Sequence, residues 1–340
     1  MTHDEFFKAI KRGEIARAYL FQGEEEYIKG KALEAVRKKL LPEGLEALNE
    51  TILSNPPAMD LIAAAETLPM MADRRLVLVR ELSALLPAKP GDESEGTDRL
   101  VAYISRLPET ACIIFYVVGY PDGRKKLTLA LKKHTETVTF GKLTDTELTR
   151  WIQTQCARHQ KTIGREHAVY LAFVTGRELM TLAQEIAKLA GYMGERSEAT
   201  RADIDAVIAP TLECTIFQMV DALVEGRTTE AFQLLSVLLD HGEKHIGILA
   251  MLARQYSNLL HLQRLKPTGI RDRDLAARIG VPLFVVTRLT AQARHINERT
   301  LRECLDLCVD TDYAIKSGRM ENETALERAM LLLAGKAAGE

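Results

Sequence analysis

Tyr19-Leu-Phe-Gln-Gly-Glu-Glu-Glu-Tyr-Ile-Lys-Gly-Lys-Ala32 places an apolar strand pattern, a glycine turn and a helical pattern in direct succession. Strand, glycine-bearing loop and helix is the order in which a phosphate-binding loop is built. Gly30-Lys31 echoes the end of GxxxxGK[ST], but Glu25 stands where the first glycine belongs and Ala32 where a magnesium-binding hydroxyl belongs. A phosphate cradle needs backbone N–H groups converging on an anion, with glycines that let the backbone approach. Glu24, Glu25 and Glu26 set negative charge there instead. At ~4 Å and an effective dielectric of ~20, each such carboxylate opposes an anion by roughly 4 kcal/mol. The stretch predicts a nucleotide-binding type of fold that has no phosphate site.

Working outward, residues 1–140 alternate strand and helix patterns, the signature of a parallel α/β sheet. Strands are expected at Ala18 to Gln22, Glu50 to Leu53, Leu76 to Val79, Ala111 to Val118 and Thr135 to Phe140. Several are near-continuous apolar runs, as strands covered on both faces require. Helices are expected over Ile28 to Leu41 and from Pro56, with Asn55 as cap, to a stop before Pro69. Pro87 to Asp98, rich in Pro, Gly, Ser and acids, reads as a loop. Leu76-Val-Leu-Val79 is followed by Arg80-Glu81 rather than by the acidic pair that holds magnesium in an ATPase, and an arginine cannot ligate a cation.

From Gly141 onward only helices are expected. Thr144-Asp-Thr-Glu147 and Thr200-Arg-Ala-Asp203 both have helix-start spacing. Leu148, Trp151, Ile152 and Cys156 share one helical face, with Trp151 read as core, and Leu179, Leu182, Ile186 and Leu189 share another. Pro210 marks the end of this small helical domain of usual size. A second helical block follows, with stops at Gly226 and Gly242, a long helix through Leu249, Leu252, Tyr256 and Leu259, a break at Pro267-Thr-Gly269, and three more helices ending at Leu333. The boundaries read 1–140, 141–210 and 211–340. The expected class is α/β plus all-α.

Composition agrees with a folded chain of this kind. At 340 residues more than one domain is expected. A net charge of −2 excludes a strongly cationic nucleic-acid-coating protein but not a local basic face. The five cysteines are scattered and form no CxxC, so reduced, packed thiols are expected. The N-terminus is polar and acidic, and no apolar run approaches the ~18 residues that span a bilayer. These features point to the cytoplasm.

Several stretches, in this order, resemble the delta-subunit family of bacterial DNA polymerase III, the clamp-loader subunit that opens the sliding clamp. They are Tyr19-Leu-Phe-Gln-Gly-Glu-Glu25, Thr67-Leu-Pro-Met-Met-Ala-Asp-Arg-Arg-Leu-Val-Leu-Val79, Phe140-Gly-Lys-Leu143 and Trp151-Ile152. Thr175-Gly-Arg-Glu-Leu179, Gln184-Glu-Ile-Ala-Lys-Leu189, Ile216-Phe217, Asp221-Ala-Leu223, Ala314-Ile-Lys-Ser-Gly-Arg319 and Ala325-Leu-Glu327 continue it along the whole chain. The resemblance implies an AAA+-like N-terminal domain without an ATP site, a three-helix lid and a helical collar. It also implies a partner set: the sliding clamp (beta), the ATP-hydrolysing gamma/tau subunits, delta-prime, and primed DNA within the assembled loader. The chain would carry no ATPase of its own, while serving a DNA-directed DNA polymerase that is a nucleotidyltransferase as a complex. Matched through Arg74, the family's clamp-binding hydrophobic pair falls on Met70 and Met71, with Leu68 just before them. The family often has Leu-Phe or Phe-Phe there; Met-Met departs in type but keeps apolar reach, and methionine adapts to a preformed groove.

Other features weigh less. Arg124-Lys-Lys126 could face a phosphate backbone, against the plainer reading of a solvated charge run. His241-Gly-Glu-Lys-His245 does not match HExxH and has a helix-ending glycine inside it, so neither metal nor cofactor is expected. Three rival readings predict different features. Delta-prime would show a Ser-Arg-Cys motif and commonly zinc-spaced cysteines, an active AAA+ ATPase would need residues other than Glu25, Ala32 and Arg80, and an unrelated helical scaffold would have no affinity for the clamp.

Overall fold

β1 (Ala18–Gln22), β2 (Glu50–Ser54), β3 (Arg75–Arg80), β4 (Ala111–Tyr116) and β5 (Glu136–Thr139) pair in parallel in the order β2-β3-β4-β1-β5. The computed structural model describes residues 1–87, 96–281 and 283–337. Two units separate in it, Met1–Leu143 and Thr144–Glu340. Burial follows position in the sheet. The central strands β1, β3 and β4 are buried almost throughout, whereas edge strand β2 is half-exposed, which explains its weaker apolar pattern.

Among the described residues the first unit also has the α-helices α1 (His3–Arg12), α2 (Glu26–Leu40), α3 (Glu46–Asn49), α4 (Ala58–Glu66), α5 (Thr97–Ile104) and α6 (Lys126–His134). Alternate residues of the strands supply the two faces. Val77, Val79, Ile113 and Phe115 pack with Leu61 of α4 and Leu100, Tyr103 and Ile104 of α5. The sequence reading gave no range to α1, α3, α5 or α6, although Thr2-His-Asp-Glu5 has the capping-box spacing of a helix start. Thr2 and Glu5 form a reciprocal capping box, and Gly13 in the left-handed region closes the other end. Phe6 of α1 then meets Tyr19, Phe21 and Phe140 edge-on at ring distances of 5.3–6.5 Å.

Asn55 does not cap α4. Pro57 precedes that helix without a side-chain cap, and Asn55, at φ +43°, accepts from the Ser83 N–H (2.9 Å) and donates its own N–H to Arg80 (2.8 Å). Asparagine tolerates the left-handed region, so it ties the end of β2 to the turn after β3 instead. Most of the segment expected as a loop at 87–98 lies outside the described residues; Thr97 and Asp98 open α5.

The second unit comprises α7 (Asp145–Arg158), β6 (Thr162–Ile163), α8 (Arg165–Thr175), α9 (Leu179–Met193), β7 (Glu198–Ala199), α10 (Arg201–Val207), α11 (Leu212–Val224), α12 (Thr228–Asp240), α13 (His245–Leu265), α14 (Asp272–Ile279), α15 (Leu283–Gln292), α16 (Glu298–Lys316) and α17 (Asn322–Ala337). Both expected helix starts form, each with a capping box, at Thr144 and Thr200. Three expectations need correction. β6 and β7 make a two-residue parallel pair, too short to leave a periodic signal. Four helices, not three, follow residue 269, because Gly280 at φ +75° caps α14 and parts it from α15. Trp151 is half-buried beside the fully packed Leu148, Ile152 and Cys156, a common fate of so large a ring.

All five cysteines are free and buried. Desolvation pushes the thiols of Cys112, Cys214, Cys304 and Cys308 up to about 12 and that of Cys156 to about 11. A buried thiol that stays protonated is a poor nucleophile. Native protein at pH 8 should therefore give no fast reaction with an aromatic disulfide reagent, and denatured protein should give the full set; rapid labelling of the native chain would contradict this packing.

Candidate functional site

The carboxyl ends of β1 and β4 meet where the strand order reverses, the place where open α/β sheets bind ligands. Here that place is filled from within. The Lys29 ammonium, fully buried, donates to Gly23 O and Val117 O at 2.8 Å each and to Glu26 Oε1. It also lies 5.0 Å from the Tyr116 ring centroid. Tyr116 donates its hydroxyl to Glu26 Oε2 (2.7 Å), and Arg80 stacks on the ring at 5.3 Å. Burial pushes the Lys29 ammonium below its ordinary value against the pull of Glu26, and burial with the Glu26 contact raises the Tyr116 phenol.

Backbone donors of this turn are bonded within the unit as well. Gly23 N–H goes to Gly119 O (2.6 Å) and Glu25 N–H to Phe140 O (2.9 Å). Glu24 faces Lys142 at 3.6 Å. Lys31, the lysine that echoes a phosphate-binding loop, points away and pairs with Glu34 (3.0 Å). Ala32 is packed in the core. After β3, Arg80 stacks on Tyr116 and Glu81 accepts from Ser54 Oγ (2.7 Å). The group that fills the cradle, Lys29, was missed by motif reading. A signal for it exists: with Ala32, Leu33 and Val36 it falls on the inward face of α2.

The second candidate lies between α4 and β3. Thr67 ends α4, its Oγ1 donating to Ala63 O (2.8 Å), and Pro69 prevents continuation. The chain then exposes Leu68, Met70 and Met71, at 72%, 57% and 84%. Met71 adopts φ +53°, unusual for a side chain of its size. From behind, Asn49 brackets Met70: its Nδ2 donates to Met70 O (2.9 Å) and its Oδ1 accepts from Met70 N–H (2.7 Å). Arg75 reaches Leu68 O at 3.4 Å and Thr51 Oγ1 at 2.8 Å. The three apolar residues matched to the clamp anchor are thus together on one surface tip. Asn49 lies 21 positions away in sequence and gave no signal in the pattern.

The basic run is partly neutralised. Arg124 binds both carboxylate oxygens of Asp122, holding that acid down to about 2, and Lys126 lies 3.3 Å from Asp98. His241 ends α12 with its ring on Val237 O (2.7 Å), and His245 starts α13. Among the described residues no group of three His, Cys, Asp or Glu is placed to hold a metal ion. Among them, too, no single helix is long and apolar enough to cross a membrane.

Residues 19–140 match the family described as DNA polymerase III, delta subunit, and residues 213–333 match its C-terminal domain. DNA polymerase III subunit delta of Bacillus subtilis is 31% identical over 333 residues, covering 97% of this chain and 96% of that protein. The Escherichia coli subunit delta is 21% identical over 332 residues, covering 95% and 93%. Among solved structures, the Bacillus subtilis DNA clamp loader delta protein matches with a TM-score of 0.64 and 29% identity, over 98% of this chain and 99% of that one.

Proposed function

The chain belongs to the delta-subunit family of DNA polymerase III, and on that premise we propose that it binds and opens the sliding clamp within the clamp loader. The observation that carries this is the tip: within four consecutive residues Leu68, Met70 and Met71 are all exposed, and Met71 at 84% is the most exposed of the unit's large apolar side chains among the described residues. Large apolar side chains clustered on a surface mark an interaction site. Burying two methionines is worth on the order of 3–6 kcal/mol before association costs, enough for an anchor. Such a contact opens a ring by binding the open form more tightly than the closed one.

In this reading the first 140 residues are the clamp-binding domain, 141–210 a helical lid and 211–340 a collar that joins gamma/tau and delta-prime in the cytoplasm. The energy of the cycle comes from ATP turned over by those neighbours. At the turn after β1 the Lys29 ammonium is committed to Gly23 O, Val117 O and Glu26, which supports that reading. ATP hydrolysis by the purified chain alone would overturn that division of labour.

The deciding experiment is a pull-down of purified sliding clamp by the full-length chain. Wild type should retain the clamp, and the Met70→Ala/Met71→Ala chain should lose most of it, by roughly 30-fold or more in affinity. Failure of wild type to bind, or equal binding by the double variant, sinks the anchor assignment.

Arg124, Lys125 and Lys126 belong to the same proposal as residues facing primed DNA in the assembled loader. With Arg124 committed to Asp122, the lysines would carry the contact. Lys125→Gln/Lys126→Gln should then lower the slope of log affinity against log salt by about two. An unchanged slope would return the run to plain solvated charge.

A further inference from the structure

We propose that Asn49 and Arg75 are positioning residues that set the backbone of the tip in advance, so that Leu68, Met70 and Met71 reach a partner already ordered. The proposal rests on the reading of this tip as the clamp anchor. Its own observation is the inversion of the usual loop: the backbone is tied to the interior while the apolar side chains are left outside.

Asn49 is fully buried at the end of α3, immediately before edge strand β2. Its amide group makes three hydrogen bonds, one to Leu45 O (3.1 Å) in its own turn and two to the backbone of Met70. Those two satisfy both the N–H and the C=O of one residue, as a neighbouring strand would. Arg75, nearly buried at the start of β3, holds Leu68 O from the other side and is anchored on Thr51. Directly after the bracketed Met70, Met71 is at φ +53° with its side chain in water. A methionine keeps that sparsely populated conformation only where the surroundings impose it, and such strain gathers at binding elements.

The consequence is a gain in affinity without a new contact. A flexible loop would lose conformational freedom on docking, whereas a tip ordered beforehand has less to lose. Neither Asn49 nor Arg75 needs to touch the clamp for this. Both act through Met70 and Leu68.

The test uses the full-length chain and purified sliding clamp. Asn49→Ala should weaken clamp binding by about tenfold or more, and should speed amide exchange over residues 68–72 while the amides of β3 stay protected. Asn49→Asp keeps the acceptor for Met70 N–H but cannot donate to Met70 O, so it should fall between the two. A double-mutant cycle separates positioning from general stability: added to Met70→Ala/Met71→Ala, the Asn49→Ala change should cost no further affinity. Arg75→Lys, which keeps the charge but not the reach to Leu68 O, gives the same comparison if Asn49→Ala does not fold. Wild-type affinity in Asn49→Ala or Arg75→Lys despite faster exchange at the tip, or a loss fully additive to the tip variant, would overturn the positioning role alone. Full binding by the Met70→Ala/Met71→Ala chain would overturn the anchor reading and this proposal with it.

Discussion

Gly23→Ala should unfold or severely destabilise the first unit, by about 4 kcal/mol or more, a cost that only a few mechanisms reach. Gly23 has φ +117°, a conformation that L side chains rarely adopt. A Cβ there would stand 2.2 Å from Phe140 O and 2.5 Å from Phe140 C, both backbone atoms that cannot rotate away. Moving Phe140 would break its N–H bond to Gln22 O (2.8 Å) and the bond it accepts from Glu25, and would part its ring from Phe21, 5.0 Å away. The control lies seven residues on, in the same degenerate motif. A Cβ on Gly30 meets nothing within 4 Å and the residue is helical, so Gly30→Ala should stabilise by about 0.5–1 kcal/mol. Denaturant midpoints of the two variants check both statements, and a Gly23→Ala chain as stable as wild type would contradict the close approach.

Lys29→Met should cost about 2–4 kcal/mol although it exchanges a charged side chain for an apolar one of similar length. The variant leaves Gly23 O and Val117 O without donors, at about 1–3 kcal/mol for each buried group. It also removes the cation from Glu26, whose partial exposure lets water share that loss. Since Glu26 and Lys29 act on one another, Glu26→Gln combined with Lys29→Met should cost less than the sum of the two, read as a double-mutant cycle by denaturation. A pH signature goes with it. Burial lowers the Lys29 ammonium in the folded state, so between that lowered value and its ordinary 10.5 the unfolded chain binds more protons than the folded one. Stability from this group therefore rises with pH across that window. Lys29→Met should lack the rise; wild-type stability and pH slope in the variant would show that the ammonium is not the filler.

The two effects act on one turn: after β1, Gly23 lets the backbone of Phe140 approach closely, and the Lys29 ammonium sits on the local carbonyls. The proposed interaction surface is elsewhere, on the connection from α4 to β3, where Leu68, Met70 and Met71 are exposed.

The first unit was legible because its strands are covered on both faces. An apolar run at β1, β3 or β4 has few other interpretations, and the expected spans agree with the observed ones to within a residue or two. The capping boxes at Thr144 and Thr200 are equally local, a hydroxyl and a carboxylate three residues apart, and both helix starts formed as read. Local signals failed where a residue serves a distant one. Asn55 has a helix-cap identity but bonds to Ser83, and Phe6 of α1 packs edge-on against Phe140, far away in sequence.

The same division holds for the candidate sites. Residue types alone carry the expectation that Glu25 and Ala32 leave no phosphate-binding loop, since a glycine and a hydroxyl are chemical requirements of that motif. Motif order carries the expectation that Leu68, Met70 and Met71 stand at the family's anchor. Only the tertiary structure decided that these three share one exposed tip, that Asn49 grips it from 21 residues away, and that Lys29 occupies the cradle. The physical reason is range: propensity, capping and periodicity act over a few residues along the chain, whereas a buried amide or ammonium is satisfied by whichever carbonyls the fold brings within about 3 Å of it.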